Sequence, residues 1–321
     1  MSKPMKYFSI GFLILILLSA FFDTIIDAFV HYFFFSSLDF ASVFWTYFAT
    51  QYVIQAVFFI AFLLFGGANL YAAYRLTPQR QSVLDLGQVM VPTKVAYWVL
   101  MFILIFLAWA ISAYPASHWL DVLMYLNRSP FGHTDPVFGR DISFYFFSMP
   151  FFELIRNYLT AALFVTIFIT AGAYVIGRGV LFTPQAVTVS PATRAHGIFF
   201  LALFFAIQIL SYWLGRYELM FSADGVVYGM TYVDGRVRVP AYNLLIVVCF
   251  AGIALSLYGM ARKSLKQPLA GLGLLIAAVI VFNGRLPVFV QKFSVDPNEL
   301  ERERSYLAYH IQSTREAYGL N

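Results

Sequence analysis

The sequence predicts an all-α fold, a polytopic bundle of about seven transmembrane helices, and three observations carry that prediction. Of the 321 residues, 61% are hydrophobic and only 12% charged, against about 25% charged in an average soluble domain. The charges are also segregated, leaving charge-free runs at 7–22, 40–74, 95–120, 157–177, 195–215, 239–261 and 267–284. A bilayer core of ~30 Å takes about 20 apolar residues at ~1.5 Å rise each, which these runs approach or exceed. Finally, 36 Phe and 21 Tyr give ample material for aromatic belts at the two membrane–water boundaries.

The first run follows Lys3 and Lys6 and has no small-residue cleavage site after it, so it reads as an uncleaved anchor rather than a signal peptide. Asp23, Asp27 and His31 follow at spacings of four. They share one face at the end of that span and are weak candidates for a proton or metal site. Run 40–74 is too long for one upright span. Its first part, near Phe33, Phe34, Phe35, Phe40, Phe44 and Trp45, is expected at the interface, with the span after it.

Orientation follows from the basic residues. With seven spans, the N-terminus and segments 73–94, 178–194 and 262–266 share one side, with ten Lys/Arg and a single acid, Asp85. That side is expected to be cytoplasmic, which places the C-terminus outside. The pI near 9.2 thereby expresses topology, and no nucleic-acid partner is implied. Residues 1–284 form the expected seven-span domain, and 285–321 an extracytoplasmic tail, the start of a larger outer domain.

The expected outer segments are 115–150, 214–238 and the tail. The first contains "SPFGHTDPVFGRDISFYFFSMPFF", with His133, Asp135, Arg140 and Asp141 within nine positions. Its Ser-Pro, Asp-Pro and Phe-Gly pairs are turn formers, so a rigid connector is one reading, with Arg128 and Arg140 paired to carboxylates and Pro150 opening the next span. An outward polar site for a cation or polar headgroup is the other. In 214–238, Asp234-Gly235 between alternating residues signals a β-hairpin pairing Val233 with Arg236 and Tyr232 with Val237. Glu153 and Arg156, three apart, are expected to pair on a helix surface. Arg216 and Glu218, two apart, do not face each other and should each bond elsewhere; both join the candidate binding set. Asn69 and the other amides inside spans read as glue between helices. In the tail, Asp296 reads as N-cap, Pro297 as first helical residue and Glu299 as the third. A helix to about Gly319 should then carry Leu300, Leu307, Ile311 and Tyr318 as an apolar stripe in need of a cover.

Three stretches together resemble the UPF0182 family of bacterial membrane proteins. Asn127, Pro130, Phe131, Gly132, Asp135, Pro136, Phe138, Gly139, Asp141, Ile142, Phe144, Tyr145, Phe147, Pro150 and Phe151 are similar to its long outer-loop signature. Gly225, Gly229, Tyr232, Asp234 and Pro240 match a second segment. Glu303, Arg304, Tyr306, Ile311, Thr314, Arg315, Ala317, Tyr318, Gly319 and Leu320 match a third, where Ser305 and His310 replace proline and asparagine. The resemblance implies seven spans followed by a large extracytoplasmic portion, and it implies no biochemical activity.

Three function classes follow. The first is a non-enzymatic anchor or platform whose outer surface binds a protein or an envelope lipid. The second is a transporter or lipid-handling protein opening near His133, Asp135 and Arg140. The third is the anchor of an envelope enzyme whose chemistry lies elsewhere. The sequence has no HExxH, GxSxG or glycine-rich phosphate motif, and one cysteine, Cys249, excludes an intrachain disulfide and a cysteine metal cluster. No catalytic residue and no cofactor is expected for these residues.

Overall fold

The computed structural model describes residues 22, 24–77, 83–85, 90–182, 186–223, 225 and 227–320. The predicted first span, apart from Phe22, and Asp23 lie outside them. The described chain is all-α in architecture, with six helices long and apolar enough to cross a membrane. Helix α1 (24–37) reverses at Asp39, whose φ of 61° is a left-handed turn that Asp tolerates, into α2 (Ala41–Leu76). Then come α3 (Thr93–Ser117), the short α4 (Trp119–Leu126), α5 (Met149–Ile176), α6 (Pro191–Glu218) and α7 (Val239–Arg262). A last helical path comprises α8 (Lys266–Ala278), α9 (Leu286–Val290) and α10 (Glu299–Ala317).

One end of the bundle, the hairpin end, is closed by two small antiparallel hairpins. Strand β1 (Val83–Asp85) pairs with β2 (Met90–Pro92) between α2 and α3, and β3 (Val180–Phe182) with β4 (Val187–Val189) between α5 and α6. Leu84 lies opposite Val91, and Leu181 opposite Thr188. Strands of three residues are too short to leave a readable alternation, and the sequence did not announce them. Ser190 caps α6 by accepting from the Thr193 amide at 3.2 Å, with Pro191 at the first helical position. The opposite end, the loop end, holds residues 118–148, the 219–233 connection and α10.

Three apolar cores fill the described bundle, the third lying at the loop end around Met149, Leu214 and Tyr217. The first joins α2, α3 and α5 through Phe62, Leu104, Tyr158 and Ala173. The second joins α6, α7 and α8 through Phe205, Leu245, Cys249 and Leu275. Close approach in the second depends on small residues: a Cβ on Gly252 would stand 2.6 Å from the ring of fully buried Phe205. A polar tie crosses the helices as well. The Asn69 amide donates to the Phe65 carbonyl, which leaves its Oδ1 to accept from His196 Nε2 at 2.8 Å. His196 Nδ1 then accepts from the Tyr174 hydroxyl at 2.9 Å, joining α2, α5 and α6. Asn69 serves as the glue expected of it; its partner, the lone histidine in run 195–215, was not singled out.

Several expectations are corrected. Residues 41–76 form one continuous helix of 36 residues, roughly 54 Å long, with no break after the aromatic first part. Arg156 does not pair with Glu153; its Nη1 lies 2.6 Å from Glu218 on α6, and a long side chain reaches a neighbouring helix as easily as its own. Pro150 stands in the first turn of α5, but the helical path as a whole starts earlier, at Phe144. A wide turn over Phe144–Ser148 precedes α5, with the Met149 amide donating to the Phe144 carbonyl. The same device stands before Pro240, Pro287 and Pro297, over Asp234–Arg238, Val279–Arg285 and Gln291–Val295. Proline lacks an N–H and its ring pushes on the carbonyl four residues back; widening the preceding turn accommodates both without breaking the helix.

The hairpin at Asp234-Gly235 is not formed. Thr231 instead opens the helix that becomes α7: its Oγ1 accepts from the Asp234 amide at 3.2 Å, and Asp234 Oδ2 accepts from the Thr231 amide at 3.0 Å. This reciprocal cap satisfies two amides that a helix start leaves open. Asp296 is likewise not an N-cap. It sits in helical conformation and accepts from Gln291 Nε2 at 2.7 Å, while the chain breaks step at Asn298, with φ of −144°.

Candidate functional site

Two carboxylates build the loop end. Asp135 is 6% exposed, and its Oδ1 accepts from the amides of Val137 and Phe138. Its Oδ2 accepts from the Arg140 amide at 2.8 Å and the Tyr145 hydroxyl at 3.0 Å. The Asp135 amide donates to the Arg140 carbonyl at 2.8 Å, and Thr134 faces Asp141 in an antiparallel bridge. Gly139, at φ 63°, takes the left-handed position that closes this loop. Asp141 organises the preceding turn, accepting from the amides of Phe131, Gly132 and Ser143 at 3.1, 2.9 and 2.8 Å. Hydrogen bonds from Ser143, then from the Phe131 amide, hold its carboxyl well below the usual carboxylate range.

The aromatic run packs behind the loop. Phe138, Phe144 and Tyr145 gather on Tyr217 with ring centroids 5.0, 4.9 and 6.3 Å away, next to Trp213 and Phe152. Arg140 does not meet a carboxylate: its guanidinium lies 5.6 Å over the Phe144 ring and 5.8 Å over Tyr217. Arg128 stacks on Tyr125 at 4.3 Å and donates to its carbonyl. Weakly hydrated guanidinium favours a flat aromatic face when the nearby carboxylates are already saturated by main-chain amides.

The tail closes the arrangement. Both oxygens of Glu303, 8% exposed, accept from the Tyr232 amide at 3.0 and 2.9 Å. That amide is the first of the α7 path, so the carboxyl sits at the positive end of a helix. Burial, followed by the neighbouring Asp234 and Glu299 carboxylates, raises the Glu303 pKa against the opposing pull of the Tyr232 amide. Glu303 stands beyond the apolar run 267–284, the part of the last helical path able to cross a bilayer. Asp234, fully buried, is bridged to Arg238 at 2.9 Å. Gly235 has no side chain because the Tyr306 hydroxyl occupies the place of a Cβ. The docking face of α10 is thus built on Glu303 and Tyr306, and of the predicted stripe Leu307 is half-buried, while Leu300, Ile311 and Tyr318 are 77%, 60% and 75% exposed.

Between these parts lies a cleft of about 980 Å³. One wall is the 132–146 loop, another Met220 and Phe221, and the third Gln312, Ser313 and Glu316 of α10. Of the candidate residues, His133 and Asp135 line it, Asp135 with its oxygens already used and His133 exposed. Arg140 and Asp141 are not among the residues that line it. Arg216 and Glu218 are brackets between helices, Arg216 donating to Asn243 on α7 at 2.9 Å. Asp27 and His31 are exposed on α1, the His31 Nδ1–H donating to the Asp27 carbonyl at 2.7 Å. Among the described residues no three His, Cys, Asp or Glu side chains stand close enough to share a metal. Met220, Phe221 and the individual residues of the α10 wall were not singled out in the sequence; the available signal was the tail helix itself, whose apolar stripe was read as needing a cover.

Of the three stretches that carried the family resemblance, the first and third supply walls of this cleft, and the second meets α10 beside it through Tyr232 and Glu303. A family described as "Uncharacterised protein family (UPF0182)" matches residues 8–321. A UPF0182 protein of Cupriavidus necator is 34% identical over 302 residues, covering 91% of this chain and 33% of the relative. One from Frankia casuarinae is 32% identical over 294 residues, covering 89% and 29%. One from Trichodesmium erythraeum is 31% identical over 292 residues, covering 89% and 32%. The chain spans about a third of the length of these relatives. No solved structure matches.

Proposed function

Because the chain belongs to the UPF0182 family, uncharacterised by its own description, we propose its role from geometry: a multi-pass platform of the bacterial plasma membrane. Its spans hold the loop end rigid on the extracytoplasmic side, and the cleft there binds an extracytoplasmic polypeptide. One observation carries this reading. The cleft's walls come from three distant stretches, and buried carboxylates bonded to main-chain amides pin them: Asp135 within its loop, Glu303 between α10 and the start of α7. Spending each carboxyl on the backbone makes the surface stiff, and a stiff surface loses little entropy on binding. A floor of Met220 and Phe221 beside Gln312 and Ser313 suits a polypeptide with mixed side chains. The additional length of the relatives is one source of such a polypeptide, and the tail helix would then be the first part of the outer face.

A photo-crosslinking residue at Ser313, in cells carrying the natural gene, tests the platform. One defined extracytoplasmic polypeptide should be captured, and its purified form should bind the chain in nanodiscs and lose that binding on Ser313→Trp. Lipid adducts alone, or binding indifferent to the filled cleft, would end this reading.

Orientation has its own test, made simple because Cys249 is fully buried. In intact cells a membrane-impermeant maleimide should label Ser129→Cys at the loop end. Ser264→Cys, in the α7–α8 turn, should be labelled only after permeabilisation. The reverse pattern would turn the bundle over.

A further inference from the structure

The hairpin end carries a second recess, unrelated to the cleft. A groove of about 340 Å³ runs between the last turns of α2 and the first turns of α3, lined by Leu70, Tyr71, Tyr74, Tyr97, Trp98 and Met101, with Lys94 also at its wall. Its size falls in the range of ligand sites. Tyr71 and Trp98 are 61% and 73% exposed, on helix flanks that face hydrocarbon once the bundle is embedded. Tyr97 is anchored from behind, its hydroxyl donating to the Ala173 carbonyl at 3.1 Å, and its ring meets Tyr74 edge-on at 4.9 Å. The groove is therefore a fixed shape rather than a gap between mobile rings.

Charge is graded along it. Lys94 stands exposed in the first turn of α3, and the Arg75 guanidinium lies 5.9 Å over the Tyr71 ring beside the groove. Between residues 40 and 120 the sole acid is Asp85, and between Glu153 and Glu218 there is none. Apolar and aromatic walls leading to two cations match one ligand chemistry: acyl chain in the groove, phosphate at its charged mouth. Aromatic rings at that depth pack against the glycerol region, where a half-polar ring is best accommodated.

We infer that this groove is a binding site for an anionic phospholipid, its phosphate held by Lys94 and Arg75 and its acyl chain laid along Tyr71, Trp98 and Met101. The inference needs the bundle to be embedded but is independent of which way it points. A chain that is not embedded will extract without detergent, a failure distinct from the one below.

Native mass spectrometry of the purified full chain from mild detergent, with dioleoyl phosphatidylglycerol or dioleoyl phosphatidylcholine added, decides the matter. The expected result is one phosphatidylglycerol retained roughly twenty-five-fold more strongly than phosphatidylcholine, about fivefold from each of the two basic residues. Arg75→Gln and Lys94→Gln should each lower that preference about fivefold, the equivalent of ~1 kcal/mol per basic residue at an anionic surface. Trp98→Ala should weaken retention of both lipids, while Arg262→Gln with Lys266→Gln, elsewhere at the same end, should change neither. Inorganic phosphate in excess should not displace the lipid. Equal retention of the two lipids overturns the proposal. So does a preference that survives the Arg75 and Lys94 changes in variants with the parent's melting temperature, or displacement by free phosphate.

Discussion

Replacing Asp135 by alanine should destabilise the loop end by at least ~3 kcal/mol, more than any other single carboxylate change there. The side chain is almost wholly buried and receives four hydrogen bonds, from three amides and the Tyr145 hydroxyl. Alanine leaves all four donors behind, and each buried donor left unsatisfied costs ~1–3 kcal/mol. Water entering the vacated space will recover part of that, hence the lower figure. Asp141 offers the comparison, because it too collects main-chain amides but in contact with solvent, which can replace it. Asp141→Ala should therefore cost markedly less, and Asp135→Asn should fall between, since its amide NH2 meets donors on one side. Unfolding of the purified variants in the same detergent, followed by near-UV circular dichroism of the aromatic cluster, supplies the measurement. Equal losses for Asp135→Ala and Asp141→Ala would mean that the loop is held by its rings and not by its carboxyl.

The second large effect lies 71 residues from its partner in sequence, where Glu303 accepts from the Tyr232 amide. Glu303→Ala should release α10, leaving the amide at the start of the α7 path open and the Gly235–Tyr306 contact unsupported. Limited proteolysis should then cut within 299–320 at a rate at least tenfold above the parent. The pH dependence has a definite sign. Burial raises the folded-state pKa of Glu303 above the ordinary glutamate value of 4.5, so the docked tail binds a proton more readily than the released one. The stabilisation linked to that proton is fully present below about pH 4.5, the released-state value, and is lost as pH rises through the folded pKa. Docking should accordingly be tighter at pH 5 than at pH 8. Glu303→Gln keeps a carbonyl oxygen for Tyr232 and cannot ionise, so it should stay docked and lose this dependence. A glutamine variant as labile as the alanine one would mean that the negative charge itself holds the tail.

Much of the loop end was visible in the sequence as chemistry but not as role. Asp135 and Asp141 stood out because carboxylates are conspicuous among apolar residues, and the connector reading assigned them to local turns, which is where their hydrogen bonds lie. Arg140 was misassigned because charge predicts a carboxylate partner, whereas the carboxylates had been consumed by nearer amides. Thr231 to Arg238 is the clearest case of ambiguity. Asp-Gly favours a two-residue hairpin, yet Thr-x-x-Asp is equally a helix start. The helix is chosen by contacts the hairpin cannot make: Asp234 with Arg238 four residues on, and Tyr232 with Glu303.

By itself the sequence determined that the chain is an all-α protein with helices long enough to cross a membrane, because apolar length and charge segregation are local quantities and need no partner to be read. It also supplied the four prolines before which turns widen, although their meaning came only with the helices around them. Tertiary structure decided which face of α10 docks, that Arg156 reaches Glu218, that Gly235 makes room for Tyr306, and that three separate stretches enclose one cleft. Those outcomes depend on which surfaces meet across 62 residues of chain, as for Arg156 and Glu218, or far more, as for Gly132 and Ala317 in the cleft, and a buried donor takes whichever acceptor the packing brings to it.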